Sequence, residues 1–297
     1  MNDPLTTITL VFLTLLALAG AVAAIRRLLR GMTGHGVGFA LMASGLCAAG
    51  AAGLFVYRWI FVNHDWQPLD SHVDGLILIA ALLAASTCYL GGASRMPGIA
   101  AFALPLLALL LAWGVCASWF TFAVFHPLSM VLAVHLGGVY LGTLFFAVAA
   151  VAGGMYLFLQ HRARKKTNLA GNTRLPSLEA AERLIVHASA LGFALLTVGL
   201  VSGLIIVTTS PDNPLGAGWW HHPKVVLAAC VWVIYALVMN VRHATHFRGS
   251  RAAWLSVAGF VLILAVFAIV QLLSTSEDQT VRPTSPAHAA VSGEAGR

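Results

Sequence analysis

LIVHASALGFALLTVGLVSGLIIV (Leu184–Val207) and VVLAACVWVIYALVMNV (Val225–Val241) flank a polar stretch that ends in GAGWWHHPK (Gly216–Lys224). These two apolar runs and the polar loop between them decide the fold class. A run of about 20 apolar residues is long enough to cross the hydrocarbon core of a bilayer as a helix. The stretch therefore predicts two transmembrane helices, joined at a membrane edge by a loop with two indoles, two imidazoles and a lysine.

The composition of the whole chain repeats this pattern. Apolar residues make up 59% of the 297 residues, charged residues make up 9%, and the mean hydropathy is +0.87. A soluble domain of this size carries much more charge. The sequence therefore predicts an all-α polytopic membrane helix bundle that contacts membrane lipid. The eight predicted transmembrane helices are Leu5–Ile25, Val37–Tyr57, Val73–Gly92, Ile99–Phe120, Leu128–Leu159, Leu184–Val207, Val225–Val241 and Ala253–Leu273.

The distribution of basic residues predicts the orientation of the bundle. Of the 17 Lys and Arg, 13 follow predicted spans one, three, five and seven, and the other four are Arg58, Lys224, Arg282 and Arg297. The positive-inside rule places the larger set in the cytoplasm. Both termini and the 216–224 loop are then outside, in a bacterial-type inner (cytoplasmic) membrane. The net charge of +7 therefore reflects topology, and no basic, aromatic-interleaved module indicates a nucleic-acid partner.

The chain is predicted to form one membrane domain and a tail. Residues 1–273 are the bundle, and residues 274–297, rich in Ser, Ala, Pro, Gly and charge, are predicted to be a disordered outer tail. Ser177 is predicted to cap a helix that lies along the inner surface before span six. Glycines within the spans predict close helix contacts. The four cysteines fall inside spans without a Cys-x-x-Cys pair, which excludes a thiol oxidoreductase and a c-type cytochrome.

Histidine offers most of the chemistry that this chain can perform. His135 is about two turns inside span five, where an imidazole needs either a ligand or a polar partner such as a backbone carbonyl. Imidazole is a common ligand of metals and of haem iron. His221 and His222 stand beside Trp219 and Trp220, a set that suits either a flat aromatic ligand or a plain interfacial belt. Position alone leaves both alternatives open for each group.

Several segments resemble one family in order and spacing. The segments that match the family's motifs are LPSLEAAERLIVHASALGFALLTVGLVSG (Leu175–Gly203), WWHHPK (Trp219–Lys224) with Trp232 and Tyr235, His135 with Tyr140, and RGSRAAW (Arg248–Trp254) with Gly259 and Phe260. A fainter match lies at Pro68–Asp74. The chain resembles the cytochrome c assembly proteins of the CcsA, ResC, CcmC and HemX group, which handle haem with a tryptophan-rich outer loop. The resemblance is strongest over residues 58–272.

The chain also departs from the family pattern. Where the family has Trp-x-Trp-Asp, this chain has Trp219-Trp220-His221-His222, and the family's second outer His has no counterpart other than His288 in the tail. His135 keeps the first outer ligand position. The opposite ligand of a haem iron would come from His221, His222, His126 or the His64–His72 loop, or be missing.

The resemblance implies a cytochrome c biogenesis protein that holds haem b transiently at the outer surface. The implied haem-binding residues are His135, Trp219, Trp220, His221, His222 and Lys224. The implied iron ligands among them are His135 and His222. The protein would be the membrane subunit of a haem-attachment complex, and its partners would be a second assembly subunit and apocytochrome c. The alternative is a non-catalytic HemX-like protein that stabilises or regulates a partner. The sequence disfavours two other classes of membrane protein. A b-type cytochrome would need further His pairs deep in the bilayer, and a transporter would need intramembrane charge and an inverted repeat.

Overall fold

Eight α-helices account for most of this computed structural model. It describes residues 3–30, 36–63, 69, 71–92, 96–119, 130–165, 176–209, 218–243 and 249–280. The helices are α1 (Pro4–Arg30), α2 (Gly36–Tyr57), α3 (His72–Gly92), α4 (Ala100–Ser118), α5 (Met130–Arg164), α6 (Leu178–Thr209), α7 (Pro223–His243) and α8 (Ser250–Thr280). A π-helical turn, Arg58–Val62, extends α2, and a 3₁₀ turn, Trp219–His221, precedes α7.

The membrane prediction is confirmed. Seven of these helices are long and apolar enough to cross a bilayer, and the apolar part of α7 covers Val225–Ala236. The described residues contain no strand, so the backbone groups are satisfied within helices, as a lipid environment requires. The predicted tail from residue 274 stays a prediction, because α8 runs to Thr280 and residues 281–297 lie outside the described part of the chain.

The start of α6 confirms one prediction and corrects another. The Ala180 N–H donates to Ser177 Oγ at 3.1 Å, so Ser177 is the predicted N-cap. The separate surface helix expected before span six does not exist, because Leu178–Thr209 is one continuous helix. The apolar spacing of span six continues back to the cap without a breaking residue, and the first turns of α6 take the place of that surface segment.

Glycine brings α5 and α6 into backbone contact. A Cβ on Gly138 would stand 2.7 Å from Gly199 N and 2.9 Å from Leu195 O, and a Cβ on Gly142 would stand 3.2 Å from Gly192 O. Only hydrogen fits at 2.7–2.9 Å, and a Cβ at 3.2 Å would require its neighbour to shift by a few tenths of an ångström. These glycines therefore form the small-residue interface that the sequence predicted. These contacts fix the register of the two helices over about one turn of α5 and two turns of α6.

The helix ends meet at two opposite sides of the bundle. At the side that we call the His135 end, α1, α3, α5 and α7 begin, and α2, α4, α6 and α8 end. Thr7 Oγ1 is 3.2 Å from Ser118 Oγ there, which joins the start of α1 to the end of α4. The positive-inside rule predicts that this end faces outside. At the opposite end, the Gly249 N–H donates to Glu182 Oε1 at 3.2 Å, with Gly249 at φ +77°.

Candidate functional site

His135 is half-buried on α5 and faces α6. Its Nδ1 lies 2.7 Å from the carbonyl oxygen of Gly199. Its ring also lies against Gly203, where a Cβ would stand 2.7 Å from Cε1 and 2.8 Å from Nδ1. Two glycines one turn apart on α6 therefore leave a gap in the helix surface that the imidazole fills.

This contact decides which nitrogen of His135 carries the proton. A carbonyl oxygen only accepts hydrogen bonds, so Nδ1 is the donor. In the neutral ring, Nε2 then carries the free lone pair. Metal-ligating histidines in proteins use the same arrangement, because a backbone carbonyl on one nitrogen fixes the tautomer and orients the other nitrogen. His135 thus has the polar partner that its depth requires, and the partner leaves one nitrogen able to bind a metal.

The tryptophan-histidine turn lies between α6 and α7. Trp219–His221 forms one 3₁₀ turn, and the N–H of His222 donates to Trp219 O at 3.1 Å. The Trp220 indole is 60% exposed, and it lies on the His221 imidazole with ring centroids 3.7 Å apart. The Trp219 indole is half-buried. An exposed indole next to an imidazole offers a flat, apolar surface for a planar ligand.

The register of α6 and α7 places this turn relative to His135. Trp232 Nε1 donates to Thr197 Oγ1 at 3.0 Å, so the two residues are level across the helix pair. Counting 1.5 Å per helical residue from that level, His222 stands roughly 6–12 Å further toward the His135 end than the Gly199–Gly203 gap. His135 and the turn therefore belong to the same end of the bundle, with the turn nearer the membrane edge.

The other predicted ligands of a haem iron are His221, His222, His126 and the His64–His72 loop. Within the described residues, no group of three or more His, Cys, Asp or Glu side chains has metal-binding geometry. His64 and His126 lie outside the described residues, and so does the side chain of Lys224. The roles predicted for His221, His222 and Lys224 remain predictions.

Sequence reasoning missed a buried ion pair at the same end. Arg58 Nε donates to Asp74 Oδ1 at 2.5 Å, and the Asp74 side chain is fully buried. From the sequence, Arg58 is one of four basic residues on the predicted outer side, and Asp74 has no assigned partner. The signal in the sequence was a basic residue at the end of one span and an acidic residue at the start of the next. Consecutive spans end and begin at the same side of the membrane, so the two charges are expected at similar depth.

Comparison with known proteins gives the family. The family model described as "Cytochrome C assembly protein" matches residues 53–276. The chain belongs to the cytochrome c assembly protein family. This match contains His135, the Trp219–His222 turn and the Arg58–Asp74 pair, whereas α1 and most of α2 precede it.

Named relatives of this family member are proteins called cytochrome c biogenesis protein CcsA. The protein from Synechococcus is 32% identical over 96 residues, which cover 32% of this chain and 29% of that protein. The protein from Guillardia theta is 22% identical over 236 residues, which cover 73% of this chain and 76% of that protein. The chain thus spans about three tenths of the length of the first relatives that it matches. No solved structure matches it.

Proposed function

We propose that this protein holds haem at the outer membrane surface, ready for attachment to apocytochrome c, in a bacterial-type inner membrane. Membership of the cytochrome c assembly family supports a role in cytochrome c biogenesis. The single observation that supports haem binding is the hydrogen bond from His135 Nδ1 to the Gly199 carbonyl, because it leaves Nε2 as an oriented imidazole ligand.

Each predicted residue then has a physical task. Gly199 and Gly203 hold the His135 ring against α6, and Nε2 of this ring would bind the iron. Trp219 and Trp220 offer indole surface to a porphyrin face. Haem, when bound, would supply an iron centre that accepts an imidazole nitrogen as a ligand. His222 or His221 is proposed as the second ligand, and Lys224 as the cation for a propionate.

The attachment chemistry uses the thiols of the protein that receives the haem. The free cysteines of this chain lie within the helices and are Cys47, Cys88, Cys116 and Cys230. The thiols that form thioether bonds therefore come from apocytochrome c, and a second assembly subunit is proposed to deliver it. This protein's contribution is to bind and orient haem while the bond forms.

The test is a haem spectrum with a matched control. His187 on α6 makes the same type of contact as His135, with its Nδ1 2.8 Å from the Arg183 carbonyl, but it lies exposed at the other end of the bundle. Purified protein should show a reducible Soret band. His135→Ala should lower the haem affinity at least tenfold and weaken this band, whereas His187→Ala should leave both unchanged. A colourless protein that takes up no added haemin would refute haem binding.

The second ligand has its own test. His221→Ala, His222→Ala and the double variant are compared with and without added imidazole. If either residue binds iron, its loss converts low-spin haem to high-spin haem, and imidazole restores the low-spin spectrum. An unchanged low-spin spectrum in the double variant would remove both residues from the ligand set and leave them as part of an interfacial belt.

A non-catalytic, partner-stabilising protein is the second candidate. It is favoured by the replacement of the family's Trp-x-Trp-Asp by Trp219-Trp220-His221-His222 and by the stacking of Trp220 on its own neighbour His221. This candidate predicts that deletion of the gene lowers the amount of a partner protein, while His135→Ala restores that amount as fully as the wild type does.

A further inference from the structure

The buried Arg58–Asp74 pair is the centre of a polar cluster at the His135 end. Beyond the 2.5 Å contact between them, Arg58 Nη2 donates to Ser71 Oγ at 3.2 Å. Asp74 Oδ2 accepts from the N–H and the hydroxyl of Ser71, at 3.0 and 2.9 Å, and from Asn63 Nδ2 at 3.2 Å. Both charged groups therefore have hydrogen bonds beyond the ion pair itself.

This cluster joins elements that are distant in the sequence. Arg58 Nη1 lies 3.4 Å from Thr6 Oγ1, and Thr6 in turn donates to Asp3 Oδ2 at 2.7 Å. The start of α1, the π turn after α2 and the start of α3 are thus held together. Burying two charges is costly, and a well-packed apolar pair of similar volume is often as stable or more so. Stability alone does not explain the pair, whereas its directional hydrogen bonds fix the relative positions of these elements.

The position of α3 is passed on to α5. Tyr140 on α5 is buried, and its ring lies directly on Gly75, the neighbour of Asp74; any Cβ at position 75 would overlap the ring. His135 precedes Tyr140 by five residues, which is about 140° around the helix axis. One side of α5 therefore rests on α3 through Tyr140, and another side presents His135 to α6.

We propose that Arg58 and Asp74 are positioning residues for His135. They hold α3 where Tyr140 presses α5 against α6, and this keeps Nδ1 of His135 on the Gly199 carbonyl and Nε2 free to bind iron. The iron-binding consequence rests on the proposed function, whereas the effect on the imidazole does not.

The first experiment needs no haem. In histidine-labelled protein in micelles, ¹⁵N NMR distinguishes the nitrogen that carries the proton from the bare nitrogen, and His135→Ala assigns the signal. Wild-type His135 should be the Nδ1–H tautomer, and Asp74→Asn should reduce that tautomer to a mixture. The control is Glu179→Gln, which breaks the Arg183–Glu179 pair at 2.6 Å, a similar contact between side chains that are 72% exposed. The control should leave the tautomer unchanged.

A second variant separates positioning from folding. Arg58→Met/Asp74→Leu removes both charges, so no unpaired ion is left buried and the fold is retained. We expect this double variant to keep the helix content and cooperative unfolding of the wild type, to lose the tautomer preference, and to bind haem at least tenfold more weakly. If it keeps the wild-type tautomer, the pair does not position His135 and the proposal is wrong.

The two proposals fail separately. If wild-type protein shows the Nδ1–H tautomer but takes up no haemin, the haem function is refuted, and the tautomer of the double variant still decides the role of Arg58 and Asp74. If haem binds but Asp74→Asn and the double variant match the wild type in tautomer and affinity, the haem function stands and the positioning role is overturned.

Discussion

Gly138→Ala should lower the stability of the bundle and break the hydrogen bond of His135. Both effects follow from separation of α5 and α6. The added Cβ would stand 2.7 Å from Gly199 N, 2.9 Å from Gly199 Cα and 2.9 Å from Leu195 O. All three atoms are backbone, so a rotamer change on α6 does not relieve the contact. Ordinary non-bonded separation is about 3.5–4.0 Å, so α5 and α6 must separate by roughly 0.6–1.3 Å at this point.

This separation of α5 and α6 determines how far the free energy of unfolding should fall. Overpacking of a tight interface costs about 1–3 kcal/mol. Moving the helices apart also stretches the 2.7 Å contact between His135 Nδ1 and Gly199 O to roughly 3.3–4.0 Å, beyond the usual range of an N–H···O hydrogen bond. The lost bond costs about 1 kcal/mol more. We therefore expect Gly138→Ala to lower the free energy of unfolding by about 2–4 kcal/mol.

The neighbouring glycine provides the control. A Cβ on Gly137 would have nothing within 4 Å, and alanine favours a helix over glycine by up to about 1 kcal/mol. Gly137→Ala should therefore unfold like the wild type or slightly later. Both variants are followed by helix content during denaturant unfolding in micelles, and the His135 tautomer is measured in each. Equal unfolding midpoints for the two variants would refute the role of the glycine contacts.

Three further predictions concern other parts of the bundle. Gly249→Ala should lower the free energy of unfolding by about 1–3 kcal/mol, because the position has φ +77° and an added Cβ would stand 2.7 Å from the Tyr156 hydroxyl; an unchanged unfolding midpoint would contradict this. Trp232→Phe removes the 3.0 Å hydrogen bond to α6 and should cost about 0.5–1.5 kcal/mol in the same measurement; no loss would show that the bond contributes nothing net. Reporter fusions after Arg30 and after Pro214 should report opposite sides of the membrane, and equal sidedness would contradict the predicted outer position of the His135 end.

Features encoded locally were predictable from the sequence. Apolar runs predicted the membrane helices, and Ser177 marked the start of α6, because hydropathy and capping depend on neighbouring residues alone. The length of α6 was underestimated, since Glu182 and Arg183 interrupt the apolar run and not the helix.

Features that depend on tertiary contacts were not predictable in the same way. Depth alone showed that His135 needs a partner, and the two alternatives, ligand and backbone carbonyl, turn out to be compatible because the imidazole has two nitrogens. The glycines of α5 and α6 predicted close packing, but not that Gly138 meets Gly199. The Arg58–Asp74 pair was missed because its geometry depends on the π turn that ends α2.

The acceptor for His135 is a main-chain atom, and this affects how the protein can change over generations. No substitution at position 199 deletes a carbonyl oxygen, so lipid-facing side chains of α6 are free to drift without altering the imidazole's partner. The vulnerable property is the distance between two helices, which only a few small residues set. Substitutions in the Trp219–His222 turn can therefore accumulate without altering the hydrogen bond that orients His135.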